Sequence, residues 1–461
     1  MSQVSEPHSH APGLVRELGV SQASAIVVGT IIGSGIFLVP AEMMQAVGSA
    51  RLVYLAWVVG GLLSLAGAVT YAELGAMKPQ AGGEYVYIRD AYGSLPAFLY
   101  AWTWFVVAKP GSIATIATGI VRILGTFPAL AVFNQTFLSF PIRVNYGQIV
   151  AIAAACLITW LNYVGVKKAG EFQLIFTILK VVMIVGVGVV GFTAVSGTWR
   201  NFGTHFAGAT GGVAGFMAAL VAALWAYDGW NDLNMVSGEI QKPERTIPIA
   251  LIAGVGIVAA LYMLNNAAVQ YVMPAAQIAA SPRPSSDATA IAVGAWGAAI
   301  VSVGMAFSMF VTLNGTIMSG ARIPYAIARD GYFFKAMADV HPRYHTPDIA
   351  LLAQLVLSII LLLFAGSFRE LFSLTIFAEW LFYMIAASTV FVLRWKEPDT
   401  PRPYKTWGYP VVPAVFVIVA AVLLYFTFTQ NLRNSLYGCA LILSGIPVFA
   451  YFARKRKASA A

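Results

Sequence analysis

Gly29-Thr30-Ile31-Ile32-Gly33-Ser34-Gly35-Ile36-Phe37 is the stretch on which the reading of this chain turns. It lies inside an apolar run, roughly residues 18–45, that is long enough to span a bilayer. A Gly-Ser-Gly in mid-helix costs about 1 kcal/mol per glycine relative to alanine. It also lets the backbone open, freeing N–H and C=O groups that hydrocarbon cannot satisfy. Such a break survives where it lines a protein or water cavity. The half-helix starting near Ile36 then points its positive end at that cavity, which suits a carboxylate. A close-packed glycine face is the other reading, since small residues are common between membrane helices.

Outward from this run the chain keeps the same character. Of its 461 residues 59% are hydrophobic and 10% charged, with mean hydropathy +0.77. Soluble domains carry about 25% charged residues, so a soluble core is excluded. Twelve apolar runs can be read, at roughly 18–45, 51–77, 95–125, 146–165, 171–195, 213–238, 247–273, 288–321, 346–365, 370–393, 409–429 and 433–453. The third and eighth are long and are expected to tilt or project. Turn chemistry at Pro79–Gly83, Gly165–Lys168, Lys242–Arg245 and Pro401–Pro403 separates neighbours. Residues 1–17 read as a polar tail and 454–461 as a basic one.

The net charge of +9 is a matter of topology. With alternating spans and a cytoplasmic N-terminus, 19 of the 28 Lys and Arg residues fall inside and seven outside. The other two, Lys109 and Lys180, lie within spans. That bias fits the positive-inside rule with both termini cytoplasmic. It leaves no charge that calls for nucleic acid; the partner of the basic residues is the lipid bilayer. Cys156 and Cys439 cannot build a disulfide framework or a structural zinc site. No GxxxxGK[ST] loop, HExxH motif or His/Cys cluster appears, so no metal, cofactor or enzymatic activity is expected.

A second interruption falls in the sixth run, at Leu224-Trp225-Ala226-Tyr227-Asp228-Gly229-Trp230-Asn231. An acidic residue in mid-membrane costs on the order of 3 kcal/mol on insertion scales and marks function. Paired breaks in runs one and six suggest two five-span halves, 18–195 and 213–393, of inverted topology, followed by two spans over 409–453.

These residues resemble the amino-acid/polyamine/organocation superfamily of transporters. More narrowly, the chain resembles bacterial relatives of the L-type amino-acid transporters, the light chains of heteromeric transporters. Gly29–Phe37 is similar to the G-x-I-I-G-S-G-I-F motif, and Pro79–Gly93 to P-x-x-G-G-x-Y-x-Y. Ala101-Trp102 with Lys109-Pro110 resembles the third span, and Leu224–Asn234 with Glu239 and Pro243 the sixth. The resemblance implies an all-α membrane protein of the LeuT-type fold: twelve transmembrane helices, a 5+5 inverted repeat, and broken helices 1 and 6. It further implies a sodium-independent amino-acid transporter, an exchanger working by alternating access in a bacterial inner membrane. Polyamine or agmatine transport, or an amino-acid sensor or channel, are the alternatives.

By motif position, Ile31, Gly33, Ser34 and Gly35 would cradle the substrate carboxylate, and the carbonyls of Ile31, Trp225 and Asp228 its ammonium, with Ala226 in the same wall. Trp225 would be a gate over the substrate, or ordinary bundle packing. Asp228 resembles the residue of members that accept cationic amino acids; capping the broken helix or pairing with a buried lysine are its other readings. Lys180 would fill the space where sodium binds in sodium-coupled members, reaching carbonyls near Gly29. If it titrates, the protein could be proton-coupled; if it stays charged, it is a fixed cation. Asn231 is a further candidate, and the resemblance implies that Phe377 and Trp380, on a span that faces the site in this fold, contribute to the pocket or an outer gate. A structural ion pair is the simplest reading of Lys109 and of Glu379, and Pro110 can kink span three. Glu73 and Glu239 would serve an inner gate or helix packing. The loop over 127–145 holds no cysteine, so no disulfide-linked heavy chain is expected.

Overall fold

The computed structural model describes residues 13–139, 144–364, 368–430 and 432–460. The start of the polar tail therefore lies outside the described residues. The first apolar run forms two helices, α1 (Val20–Ile31) and α2 (Gly35–Val47), separated at Ile32–Ser34. Helices α3 (Ala50–Met77), α4 (Glu84–Tyr92) and α5 (Ser94–Thr103) follow. A π-helical turn, Trp104–Ala108, joins α5 to α6 (Lys109–Leu124). Pro110 lacks an N–H, and the wide turn just before it, with Lys109 N–H bonded to Trp104 O, is how the chain absorbs that loss. Next come α7 (Tyr146–Tyr163), α8 (Val166–Phe192), α9 (Gly212–Ala226), the short α10 (Asp232–Met235) and α11 (Pro243–Val272). Then follow α12 (Ala275–Ala280), α13 (Pro284–Val293), α14 (Ala295–Gly320), α15 (Arg322–Arg329) and α16 (Asp348–Phe364). The last four are α17 (Phe368–Lys396), α18 (Val411–Gln430), α19 (Leu432–Leu443) and α20 (Gly445–Ala460).

Among the described residues, ten helical segments are long and apolar enough to cross a membrane. Gly212–Ala226 and Asp348–Leu363 are shorter apolar helices. The two overlong runs are both interrupted. The third carries the π turn, and the eighth is cut at Gly294, whose φ of +85° ends α13 before α14 begins. The core forms around the first run. α1 packs on α8, α11 and α14, while α2 packs on α9, and α3 on α9 and α11. Gly29 makes the α1–α8 contact close: a Cβ there would come within 2.4 Å of Gln173 Nε2 and Thr177 Oγ1.

Ion pairs fasten one end of the bundle. Arg322 donates from Nε and Nη2 to both oxygens of Glu239, at 2.7 and 2.8 Å, and both side chains are fully buried. Arg394 grips Glu73 in the same two-pronged way, at 2.8 and 2.7 Å. Arg89 reaches Asp330, and Lys78 reaches Asp90 and Glu397. Leu18 pairs with Ile240, and Arg16 donates to the Pro79 and Ile240 carbonyls. Arg456 of α20 reaches the Tyr332 hydroxyl, two residues from Asp330. Both ends of the described chain therefore sit at the same end of the bundle.

Removing one partner of a buried ion pair strands the other's charge, at about 3–5 kcal/mol. Arg322→Ala should therefore lower the melting temperature in detergent, and Arg322→Met with Glu239→Leu should recover part of the loss. A single variant as stable as the native protein would contradict this account of the pair.

Candidate functional site

The break at Ile32–Ser34 leaves α1 ending in carbonyl groups inside the protein. Helix C-termini carry partial negative charge and favour a cation. Lys180, near the middle of α8, provides one: its buried Nζ donates to the carbonyls of Gly29 at 2.8 Å and Ile32 at 2.5 Å. It also lies 3.4 Å from Thr312 Oγ1. Ser308 donates to the Ile32 carbonyl, and the Thr312 hydroxyl lies 3.1 Å from it. Every contact of this ammonium is thus to the opened backbone or to the α14 hydroxyl beside it.

The second half, α2, begins at the same place with its N–H groups. Gly33, Ser34 and Gly35 line a cavity of about 140 Å³, and the Ser34 hydroxyl has no hydrogen-bond partner among the described residues. Thr30, Ile31, Trp225, Ala226, Asp228 and Asn231 line the same cavity. The two breaks meet there. Gly229, at φ +104°, lies against Thr30, and a Cβ would approach the Thr30 carbonyl carbon to 3.2 Å. Gly35 lies against Ala226 in the same way, again at 3.2 Å, with the Trp225 ring beside it. Only glycine tolerates both the left-handed backbone and the close approach at 229.

Two tyrosines brace the breaks, Tyr262 across both and Tyr383 within the second, and sequence reasoning did not single out either. The Tyr262 hydroxyl, on α11, lies 2.7 Å from the Ala226 carbonyl and 3.1 Å from that of Ile31. It bridges the C-terminal ends of α9 and α1. The Tyr383 hydroxyl, on α17, donates to Asp228 Oδ1 at 2.7 Å and lies 3.2 Å from Asn231 Oδ1. Asn231 in turn donates to Glu84 at 2.6 Å, and Tyr100 donates to the other Glu84 oxygen at 3.1 Å. The motif segments at 84 and 231 were both visible in the sequence, but their contact was not.

The charged residues sort themselves unevenly. Lys109 forms a buried ion pair with Asp232. The expected ion pair for Glu379 is corrected: it lines the cavity with no hydrogen bond or ion pair among the described residues. Lys109, the Lys or Arg among the residues lining the cavity, is already held by Asp232. Phe377 and Trp380 do not line the cavity. Glu379 and Tyr383, four apart, share the inward face of α17. Trp380 and Phe377 lie off that face, packed on Phe416 and Phe428 respectively. Lys180 stands behind the cavity wall rather than in it. Among the described residues no group of three or more His, Cys, Asp or Glu could hold a metal ion.

Glu84 lies outside the spanning segments and is fully buried. Burial pushes its carboxyl up to about 7, against the hydrogen bond from Asn231, which lowers it. The folded state thus holds this proton more tightly than the unfolded chain. The stability it contributes is complete below the ordinary value of 4.5 and is lost as pH rises towards about 7. Glu84→Gln has no such group. Its melting temperature should gain on the native protein's as pH rises from about 5 to about 8. A difference that stays constant over that range would contradict the assignment.

Comparison with known proteins agrees with the geometry. The family model for amino acid permeases matches residues 18–446. The serine/threonine exchanger SteT of Bacillus subtilis is 32% identical, over 98% of this chain and 100% of its own length. The b(0,+)-type amino acid transporter 1 of Homo sapiens is 32% identical, over 95% of this chain and 88% of its own. The human cystine/glutamate transporter is 29% identical, over 95% and 85%. With a broken first helix, a broken sixth and a match along nearly its whole length, the chain belongs to the amino acid permease family of the amino-acid/polyamine/organocation superfamily.

Proposed function

We propose that the chain is a sodium-independent amino-acid exchanger working by alternating access, with broad or cationic-leaning selectivity. In this reading it has twelve spans, arranged as two inverted five-span repeats over 18–195 and 213–393 with two further spans over 409–453. It sits in a bacterial inner membrane with both termini cytoplasmic and needs no disulfide-linked heavy chain. The positive-inside bias supports that orientation, and the common position of the two chain ends supports an even number of crossings.

One observation carries the reading: both helix breaks open on a single cavity. A zwitterion needs donors at one end and acceptors at the other. The N-terminus of α2 offers the Ser34 hydroxyl and the N–H groups of Ser34 and Gly35 to the carboxylate, beside Gly33, whose own N–H is already held by the Ile31 carbonyl. The carbonyls of Ile31, Trp225 and Asp228 offer acceptors to the ammonium, with Ala226 completing the wall. Part of that acceptor capacity is already used, since Gly33 N–H bonds to the Ile31 carbonyl and Asp228 N–H to that of Trp225. The Ile31 carbonyl also meets the Tyr262 hydroxyl at 3.1 Å, so a substrate ammonium shares that oxygen with donors already present. Trp225, over Gly35, is the gate. Lys180 takes the place of a sodium ion: a fixed positive charge on the same carbonyls removes the need for a bound cation. Glu73–Arg394 and Glu239–Arg322 hold the inner side shut and must part for release.

Purified protein in liposomes tests this. Labelled amino acid should enter saturably, faster when unlabelled amino acid is inside, and equally fast in sodium and in choline buffers. No counter-substrate stimulation with any amino acid, or a strict need for sodium, would overturn the proposal. Lys180→Ala should slow exchange at least about tenfold, because the α1 end loses a charged hydrogen-bond donor. Unchanged exchange in that variant would remove Lys180 from the mechanism.

A further inference from the structure

Glu379 is the residue for which the architecture gives no use. It lies on α17, inside a spanning segment, and its side chain lines the cavity. Ionisable residues within a membrane are costly, and those without a structural partner mark function. The other charges on the cavity wall are accounted for. Lys109 and Asp232 neutralise one another, and Asp228 accepts a hydrogen bond from Tyr383. Lys180 is engaged with the α1 carbonyls behind the wall. The wall therefore holds three carboxylates against one ammonium. Two of the carboxylates, Asp228 and Glu379, have no cation of their own among the described residues.

The two come from different elements. Asp228 follows the end of α9, and Glu379 faces the same space from one turn below Tyr383, the residue that holds Asp228. A zwitterion between the helix breaks brings no net charge to this wall. A substrate with a cation on its side chain does. We propose that Glu379, with Asp228, is a specificity-determining residue that receives the side-chain guanidinium or ammonium of a dibasic amino acid. The inference rests on the exchanger reading and deepens it by naming the substrate class. A long flexible side chain bearing a cation fits, because one charge can then face both carboxylates while the α-groups stay at the helix breaks.

L-Arginine and L-citrulline, nearly equal in shape and different in charge, separate the outcomes. In liposomes loaded with unlabelled amino acid, arginine should compete for uptake at least about tenfold better than citrulline. L-Lysine should likewise outcompete L-norleucine. In Glu379→Gln the arginine-to-citrulline ratio should fall towards one. A merely structural role would lower both competitors together and leave the ratio alone. Neutral amino acids exchanged with no preference for arginine by the native protein would overturn this inference and leave the exchanger reading intact. An unchanged ratio in Glu379→Gln would remove Glu379 from recognition. No exchange of any amino acid would overturn both.

Discussion

The end of α1 is a cluster of carbonyl oxygens held away from water, and the ammonium of Lys180 is what makes that end tolerable. Without a donor each unpaired carbonyl would cost free energy comparable to a lost hydrogen bond. With Lys180 at 2.8 and 2.5 Å from two of them, the helix can stop in mid-protein. The rest of the site follows from that stop. Because α1 ends there, α2 begins beside it, and its free N–H groups face the cavity. Because the backbone is open there, Gly229 of the second break can lie against Thr30. A buried lysine is itself expensive, and it is sustained here by giving every donor an oxygen. The same arrangement gives hydrogen-bond donors to carbonyls that the opened helix would otherwise leave without any.

The site is also held from the sides. Tyr262 spans the ends of α1 and α9 with a single hydroxyl, so movement of either half-helix is felt by the other. Tyr383 and Asn231 link Asp228 to Glu84, which connects the cavity wall to the short helix after α3. From the same helix, Tyr85 and Arg89 both reach Asp330, which directly follows α15, the helix that begins with Arg322 of the buried Glu239–Arg322 pair. Polar contacts from the cavity wall to Glu84, and from Tyr85 and Arg89 to Asp330, are thus joined through α4. On the exchanger reading, this set is what must rearrange between the two access states.

Much of this was legible in the residues. The glycines of 29–37 and the Asp-Gly of 228–229 announced both breaks, since hydrocarbon tolerates opened backbone only around a cavity. Lys180 and Asp228 stood out as charges in apolar runs for the same reason. What the sequence could not supply was pairing in space. Asp232, the first residue of α10 and four positions after Asp228, carries no mark that separates it from Asp228, yet it is Asp232 that takes Lys109. Glu379 read as half of an ion pair, and among the described residues it has no such partner. Phe377 and Trp380 read as pocket or outer-gate aromatics because their span was expected to face the site; at the cavity itself the helical period turns Glu379 and Tyr383 inward. Tyr262 and Tyr383 gave no signal, because a tyrosine in an apolar helix looks like packing until its hydroxyl finds a carbonyl. The π turn before Pro110 was also hidden: proline predicts a lost hydrogen bond, but not the way the chain compensates.

The central claim is that the two breaks hold the two ends of an α-amino acid. Competition by chemically altered substrate tests it most directly. For an amino acid that the protein exchanges, the methyl ester removes the carboxylate charge and the N-acetyl derivative removes the ammonium. Each charge-assisted contact contributes about 1.5–3 kcal/mol, so each derivative should compete at least about tenfold less well than its parent. If either competes as well as the parent amino acid, the corresponding break does not bind substrate and the account fails.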